Sequence, residues 1–306
     1  MATTKDIKYA AMAQTFGLLR DEPLKPYTSF KVGGPADLLA LPKTVEELTA
    51  LLGYASQQNI PVTLLGGGTN VLVSDKGIRG LVLVTTGLKS GIRITDSTPE
   101  KALVDAAAGE RLSTVCRFAL DHSLSGLEFA AGIPGTLGGA LAMNAGTKAG
   151  DMSGIIRDIK ILDFKTLNLE ILERKKLDFS YRCLKLSGII VAATLALKPG
   201  NRTGIEQTVQ ANLSFKKATQ PISVASAGCF FKNPVQGMPA GELIEKSGLK
   251  GTDFNGARVS DLHANYIINT GNATCDDILR LKQHIQDTVF NAFKIKLETE
   301  VRIEGE

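Results

Sequence analysis

Apolar and polar residues repeat along this chain with two periods, one typical of helices and one typical of strands. After the short apolar run "LLAL", a helical face is formed by Val45, Leu48, Leu51 and Leu52. Thr44 and Glu47 have the spacing of a capping box, and Asn59 with Pro61 predicts the end of this helix. "VTLL" and "GLVLVTT" then read as strands. The pattern predicts strands alternating with a helix.

The middle of the chain contains a second helical pattern and then a run of strands. In "RLSTVCRFALDH", Cys116 shares one face with apolar neighbours, which predicts a place in the core. "DIKILDFKTLNLEILER" alternates like two strands joined by a turn, and "GIIVAATLALKPG" predicts a strongly apolar strand. Pro199, Gly200 and Asn201 then favour a boundary.

The last third begins with a helix and ends with an alternating segment. Thr274 and Asp277 predict the start of the helix, whose apolar stripe is Ile278, Leu281, Ile285 and Val289. In "KIKLETEVRIEG" every second residue from 295 to 303 is apolar or Thr, and the residues between them are charged. This pattern predicts one continuous half-buried strand, with Ile303 on the buried face and Glu300 on the polar face.

Composition and charge exclude several classes of protein. The 306 residues are 43% hydrophobic and 22% charged, which is typical of a globular protein with two or three domains. The four cysteines form no C-x-x-C pair, so we expect reduced thiols and no metal site. A net charge of +4 without a basic, aromatic-interleaved run argues against nucleic acid. Neither a signal peptide nor a membrane span is predicted, and the expected location is cytoplasmic.

Two glycine-rich loops are the first candidates for ligand binding. "LLGGGTN" lacks the G-K-[ST] ending of a P-loop, and Val71 stands where the dinucleotide fingerprint requires Gly or Ala. One such loop alone is equally consistent with a tight turn that binds nothing. The second loop, "GIPGTLGGA", makes a diphosphate held between two backbone surfaces the simpler interpretation.

Several longer motifs, in the same order, resemble the UDP-N-acetylenolpyruvoylglucosamine reductase family of peptidoglycan synthesis. They are "TSFKVGGPAD", "GGGTNVLVSD", "GLEFAAGIPGTLGGALAMNAG", "YRCLKL", "AGCFFKNP", "AGELIEKSGLKG", "VSDLHANYIINTGNAT" and "LETEVRIEG". The resemblance covers about Thr28 to Gly305, and the short distance from "YR" to "AGC" is similar to the subtype that lacks an extra tyrosine-bearing loop. It implies an enzyme that reduces an enolpyruvyl nucleotide sugar with NADPH, and roles in cell wall biogenesis, cell shape and cell division.

The resemblance also implies a fold and a division into domains. The fold class is α+β, with a two-lobed FAD-binding fold of the vanillyl-alcohol-oxidase type and a C-terminal α+β substrate domain. Lobe 1 spans 1–85 and is joined by a C-terminal strand at 294–306, lobe 2 spans 86–200, and the substrate domain spans 201–293. FAD is expected to bind without a covalent link, since no histidine lies in either glycine loop.

The resemblance assigns the site residues. Catalytic roles fall to Arg182, Cys229 and Glu300. Cofactor binding falls to Gly66, Gly67, Gly68, Thr69, Asn70, Gly132, Ile133, Pro134, Gly135, Gly138 and Gly139. Substrate binding falls to Tyr181, Lys217, Asn233 and His263, with NADPH as co-substrate and no protein partner or membrane indicated.

Each catalytic residue also has an interpretation without chemistry. Without the resemblance, the composition favours Arg182 as a surface residue at a strand end and Glu300 as part of a solvated strand face. Cys229 stands where the family commonly has a serine that donates a proton; a thiol has a proton to give, but a cysteine between Gly228 and Phe230 is also typical of a small buried residue. The alternative functions are a flavin-dependent oxidase or dehydrogenase of the same fold and a flavin-free protein that binds nucleotide sugars.

Overall fold

The structure is a computed structural model that describes residues 4–306. Its helices are α1 Thr4–Phe16, α2 Val45–Gln58, α3 Leu112–Asp121, α4 Leu137–Ala142, α5 Arg202–Thr219, α6 Ala240–Lys246 and α7 Cys275–Phe293. The chain forms two compact units, each made of separate segments. Unit 1 contains the residues up to Leu18, Ala40–Gly67 and Leu83–Phe215; unit 2 contains Leu19–Leu39, Gly68–Val82 and Lys216–Glu306. The three-part division expected from the sequence stays a prediction.

The strands range in length from two to twelve residues. They are β1 Leu19–Pro23, β2 Pro35–Ala40, β3 Val62–Leu65, β4 Val71–Val73, β5 Ile78–Val84, β6 Ile92–Ser97, β7 Ala102–Ala107, β8 Leu124–Ser125, β9 Gly146–Thr147 and β10 Gly150–Asp151. They continue with β11 Ile156–Asp163, β12 Leu169–Glu173, β13 Asp178–Ser180, β14 Cys183–Lys185, β15 Gly188–Pro199, β16 Asp253–Phe254, β17 Ala257–Val259, β18 Ile267–Asn269 and β19 Arg302–Glu304.

Unit 1 is built around an antiparallel sheet in the order β12-β11-β15-β7-β6, with β8 pairing to β15. The apolar segment "GIIVAATLALKPG" is β15, which lies between β11 and β7 and pairs with both. The two alternating strands predicted before it are β11 and β12, which pair with each other. Helices α3 and α4 supply Leu112, Val115 and Leu137 to the core of this unit, and Cys116 is half-buried against the same core. The expected core position of Cys116 is therefore confirmed in part.

The first predicted helix of unit 1 is α2, and its start differs in one detail from a capping box. The Glu47 amide donates to the Thr44 hydroxyl at 3.2 Å, as expected of an N-cap. The Glu47 carboxylate, however, accepts from the amide of Lys43 at 2.7 Å, one residue before the position that a capping box uses. Asn59 ends the helix in the left-handed conformation with φ of 54°, which confirms the predicted stop.

Unit 2 has a core of aromatic and aliphatic residues packed around α7. The core includes Phe30, Leu72, Phe230, Phe231 and the predicted stripe of α7. Thr274 and Asp277 form a full capping box, so the predicted start of this helix is confirmed. Asp75 comes from a distant part of the chain and accepts from the amides of Cys275 at 2.9 Å and Asp276 at 3.0 Å. Two carboxylates thus hold the amides at the positive end of one helix.

The continuous strand expected for 295–304 is wrong. Only Arg302–Glu304 forms a strand, β19, which pairs in parallel with β4. Upstream, the segment pairs with residues 230–232 instead, through Lys232 N to Glu298 O at 2.8 Å and Glu300 N to Phe230 O at 2.8 Å. At this change of partner Val301 N also donates to Phe230 O, at 3.4 Å, which is a bulge. Val301 keeps the buried side of the predicted alternation, at 2% exposed, whereas Ile303 in β19 is 42% exposed.

Among residues 4–306 no helix is long and apolar enough to cross a membrane. In the same part of the chain no group of three or more histidine, cysteine or acidic side chains could hold a metal ion.

Candidate active site

The two glycine loops contact each other within unit 1. A Cβ placed on Gly67 would lie 2.9 Å from the Gly135 Cα, and one on Gly66 would lie 3.0 Å from the Thr136 Oγ1. The contact at Gly67 is with backbone and leaves no room for a side chain, whereas the contact at Gly66 is with the side chain of Thr136. The structure therefore brings together the two loops that the sequence singled out. Backbone N–H groups can donate hydrogen bonds to a diphosphate, and small side chains let the phosphate oxygens come close to them.

In the second loop, three backbone amides already have acceptors in the protein. Leu137 N donates to Glu110 O at 2.9 Å, Gly138 N to Ala108 O at 2.8 Å, and Gly139 N to the Thr136 Oγ1 at 3.2 Å. A Cβ on Gly138 would also lie 2.9 Å from the Ala108 Cβ. Gly138 thus has a packing role that the sequence did not reveal. Contacts of Gly132, Ile133, Pro134, Gly135, Gly138 and Gly139 with a cofactor stay predictions.

The remainder of the first loop, residues 68–70, belongs to unit 2. Gly68 has φ of +62°, and a Cβ there would lie 1.9 Å from the Tyr27 carbonyl oxygen. The Asn70 side chain donates to Glu300 O at 3.1 Å, and the Asn70 carbonyl accepts from Arg302 N at 3.1 Å. Asn70 therefore fixes the C-terminal segment that carries Glu300. A role of Gly68, Thr69 or Asn70 in binding FAD stays a prediction.

Cys229 lies half-buried in unit 2, directly before two phenylalanines of the core. Phe230 N donates to Asn265 O at 2.7 Å, and the Asn265 side chain exchanges two hydrogen bonds with the Phe231 backbone at 2.8 and 2.9 Å. On the other side, Phe230 O accepts from Glu300 N. Main-chain hydrogen bonds thus place Cys229 between the segments that carry Asn265 and Glu300.

Tyr266 completes this cluster, and the sequence reasoning missed it. Its side chain is hydrogen-bonded to that of Cys229, and its hydroxyl donates to the Gln220 Oε1 at 3.0 Å. Burial raises the pKa of Tyr266, and the neighbouring Cys229 and Glu300 raise it further. No pattern in "HANYIINTG" indicates that Tyr266 meets Cys229, because the contact depends on the pairing of segments 37 positions apart. Cys229, Glu300 and Tyr266 thus form one cluster of titratable groups.

The candidate substrate ligands of unit 2 lie near the same segments. The His263 ring lies edge-on to the Tyr266 ring, with centroids 5.0 Å apart, and its Nδ1 accepts from Asn265 N at 3.2 Å. Burial lowers the pKa of His263, which favours the neutral ring. The Asn233 Oδ1 accepts from Ala240 N at 3.0 Å, at the start of α6. Lys217 lies in the last turn of α5.

Arg182 and Tyr181 form the two-residue turn between β13 and β14 in unit 1. The guanidinium of Arg182 lies 5.2 Å from the centre of the Tyr181 ring, in a cation–π contact. Arg182 has φ of 57°, a left-handed conformation that is uncommon for a residue with a side chain and is over-represented at functional sites. Tyr181 is 53% exposed. Both side chains are therefore presented by one tight hairpin.

Comparison with known proteins defines the class of this chain. Residues 36–163 match the sequence profile described as FAD binding domain. This match places the chain in the class of flavoproteins. Residues 220–304 match the profile described as UDP-N-acetylenolpyruvoylglucosamine reductase, C-terminal domain.

Relatives match over nearly the whole chain. The UDP-N-acetylenolpyruvoylglucosamine reductase of Caldanaerobacter subterraneus subsp. tengcongensis is 44% identical over 94% of this chain and 94% of its own length. The reductase of Levilactobacillus brevis is 43% identical over 94% of this chain and 93% of its own length. The crystal structure of the Thermus caldophilus enzyme matches with a TM-score of 0.77 and 33% identity, covering 92% of this chain and 97% of the other.

The chain belongs to the UDP-N-acetylenolpyruvoylglucosamine reductase family. The resemblance, the α+β fold class, the reductase activity and FAD as the cofactor are thereby confirmed. The roles of individual site residues stay predictions, and so does the expected subcellular location.

Proposed function

We propose that this chain reduces the enolpyruvyl group of UDP-N-acetylglucosamine-enolpyruvate to the lactyl group of UDP-N-acetylmuramate, with NADPH as the electron source. The observation that carries the proposal is the cluster of Cys229, Tyr266 and Glu300, in which a thiol is held next to a phenol and a carboxylate. The reaction would supply peptidoglycan synthesis in the cytoplasm, and through it cell wall biogenesis, cell shape and cell division.

FAD, when bound, supplies a hydride carrier that NADPH reloads. The contact between Gly66–Gly67 and Gly135–Thr136 supports a site for its diphosphate, because backbone donors there can approach phosphate oxygens closely. Gly132 and Gly135 are two of the predicted FAD-binding residues in unit 1, and they have positive φ values of 73° and 108°. Residues other than glycine rarely adopt this backbone conformation.

The chain's own residues must deliver a proton to the substrate. Reduction adds a hydride to the terminal carbon of the enolpyruvyl group, and the electron pair of the double bond moves to the carbon next to the carboxylate. The Cys229 S–H gives its proton to that carbon, which leaves a saturated lactyl group and a thiolate. The thiolate regains a proton from solvent, and the cysteine is ready for another turnover.

The remaining predicted residues bind and orient the substrate. Arg182 would hold the carboxylate through its planar guanidinium, where negative charge grows during the reaction. Because the Asn233 Oδ1 already accepts from Ala240, the donor side of its amide remains for a ligand. Lys217 suits a phosphate group as a point charge, and neutral His263 and Tyr181 suit polar groups of the sugar.

The test uses the purified protein as it is isolated, under anaerobic conditions. We expect a yellow protein whose flavin absorbance bleaches with NADPH and recovers with UDP-N-acetylglucosamine-enolpyruvate. In D2O the product should carry deuterium on the carbon next to the carboxylate, the position to which the thiol delivers its proton. A flavin that recovers with air but not with this substrate would favour an oxidase, and a colourless protein that cannot be reconstituted would favour a binding protein.

A further inference from the structure

Tyr266 has two hydrogen-bond partners and one hydrogen to share between them. Its hydroxyl lies 3.0 Å from the Gln220 Oε1, which can only accept, and it is also hydrogen-bonded to the Cys229 side chain. A phenol can donate one hydrogen bond and accept another. While sulfur carries its proton, the S–H can donate to the phenol oxygen and the phenol can donate to Gln220.

The backbone fixes this arrangement on both sides. Tyr266 N donates to His263 O at 2.9 Å, and Tyr266 O accepts from Ser260 N at 2.9 Å. The preceding residue, Asn265, holds the two residues after Cys229 through its backbone and its amide. Tyr266 is 8% exposed, so its hydroxyl has little access to water. The phenol therefore stays beside the sulfur without depending on a bound ligand.

The titratable neighbours of the phenol include two acidic side chains and one imidazole ring. Cys229 and Glu300 act on it as neighbouring acids, and the His263 ring packs edge-on against it. Burial raises the pKa of Tyr266, so the phenol keeps its hydrogen while the thiol ionises. A hydrogen that stays on oxygen can be turned from Gln220 towards sulfur when sulfur becomes negative.

We propose that Tyr266 is a positioning residue for the proton donor: it accepts from the Cys229 thiol before the transfer and donates to the thiolate after it. The inference rests on the proposed role of Cys229. The hydrogen bond between Tyr266 and Cys229 reverses its direction and the phenol gives up its hydrogen bond to Gln220, while the proton that leaves is the thiol's own, which solvent later replaces. Gln220 holds the phenol's hydrogen in the resting state and competes with sulfur for it.

The experiment measures the pH at which Cys229 is half-alkylated by iodoacetamide, followed by mass spectrometry of its peptide in the FAD-bound protein. Tyr266→Phe removes the donor to the thiolate, so the alkylation midpoint should rise by about one pH unit. Gln220→Met removes the competing acceptor, so the midpoint should fall. Opposite shifts from two neighbouring substitutions are not expected from a general loss of packing.

Turnover supplies a second measurement. Tyr266→Phe should lower kcat by about 10-fold with little change in KM, and the alkaline limb of its pH profile should move with the alkylation midpoint. Tyr54→Phe is the control, since this ring packs edge-on against Phe16 in another part of the fold and should change neither value.

Two failures can be told apart. An alkylation midpoint that Tyr266→Phe leaves unchanged, or one that both substitutions shift upward, overturns the role of Tyr266 even if Cys229 remains essential. Full turnover in Cys229→Ala overturns the role of the thiol itself. If Tyr266→Phe is unstable, as judged by its unfolding temperature, the shift in Gln220→Met decides: a fall supports the inference, and no change or a rise contradicts it.

Discussion

The amides of Glu300 and Val301 share one acceptor, the carbonyl oxygen of Phe230, at 2.8 and 3.4 Å. This bulge places the side chain of Glu300 beside the segment that begins with Cys229. The contact is made by the main chain, so substitution of the Cys229 or the Glu300 side chain should leave the geometry intact. Changes in activity on substitution of Cys229 or Glu300 can therefore be interpreted as changes in chemistry.

Replacing Cys229 tests the proton donor. Cys229→Ala removes the thiol, and we expect turnover to fall about 10²- to 10⁴-fold while reduction of the flavin by NADPH continues. Cys229→Ser keeps a hydroxyl proton at this position and should retain substantial activity. Stopped-flow absorbance separates the two half-reactions.

The control for this pair is Cys116→Ala, which removes a half-buried thiol from α3 and should leave both half-reactions near the parent rates. If the alanine variant at position 229 reoxidises with substrate as fast as the parent, the proton comes from another group.

Glu300 supplies a negative charge that acts on Tyr266, the hydrogen-bond partner of the thiol. A like charge disfavours the thiolate, so Glu300→Gln should let Cys229 ionise at lower pH and move the alkaline limb of the kcat profile down by about 0.5 to 1 unit. The pKa of Tyr266 is raised in part by this same carboxylate, which indicates that its field reaches the cluster. The pH dependence of kcat, measured from pH 6 to 10, checks the shift.

Glu298→Gln is the matched control, because this carboxylate is 76% exposed and lies 3.7 Å from Lys232. An exposed pair is screened by water and should not move the profile. An alkaline limb that stays in place in Glu300→Gln would show that the carboxylate does not control the thiol.

The sequence predicted local structure better than it predicted pairing. The start of α7 was predictable because Thr274 and Asp277 interact within one helical turn. The break in 295–304 was not, because it arises where the segment leaves Phe230 and pairs with β4, and neither partner is near it in sequence. For the same reason Tyr266 was missed, whereas Cys229 was found through a family motif. Local capping is encoded by neighbours, and the site is assembled by contacts between distant segments.

Cys275 predicts a specific dependence of stability on pH. Burial raises the pKa of its thiol to about 12 from 9.0, and the nearby Asp75 raises it too. Above pH 9 the unfolded chain loses this proton and the folded protein keeps it, so the free energy of unfolding falls as the pH rises. The slope from this single group is at most about 1.4 kcal/mol per pH unit.

The measurement is urea unfolding of the parent and of Cys275→Ala at pH 7 and pH 10.5. At pH 7 the variant should be less stable by about 1 kcal/mol, because it leaves a small cavity. At pH 10.5 the difference should vanish or reverse, because only the parent has the Cys275 thiol whose raised pKa lowers the free energy of unfolding at high pH. A difference that is the same at both pH values contradicts the prediction.

Gly67→Ala tests whether the contact between the two glycine loops matters for the cofactor. The added Cβ would lie 2.9 Å from the Gly135 Cα and 3.4 Å from the Gly135 carbonyl carbon, and both are backbone atoms that cannot rotate away. The loops must move apart by a few tenths of an ångström, which disturbs donors that have to converge on one diphosphate. We expect the Kd for FAD to rise by about tenfold or more. Flavin fluorescence during titration of the apoprotein measures it.

Gly154→Ala provides the comparison, because a Cβ at Gly154 meets nothing within 4 Å and the residue lies in the same unit. This variant should bind FAD like the parent, so that any loss in Gly67→Ala reflects the loop contact rather than a missing glycine in general. Equal affinities in the two variants would mean that the loops tolerate separation, and that the grip on the diphosphate comes from other residues.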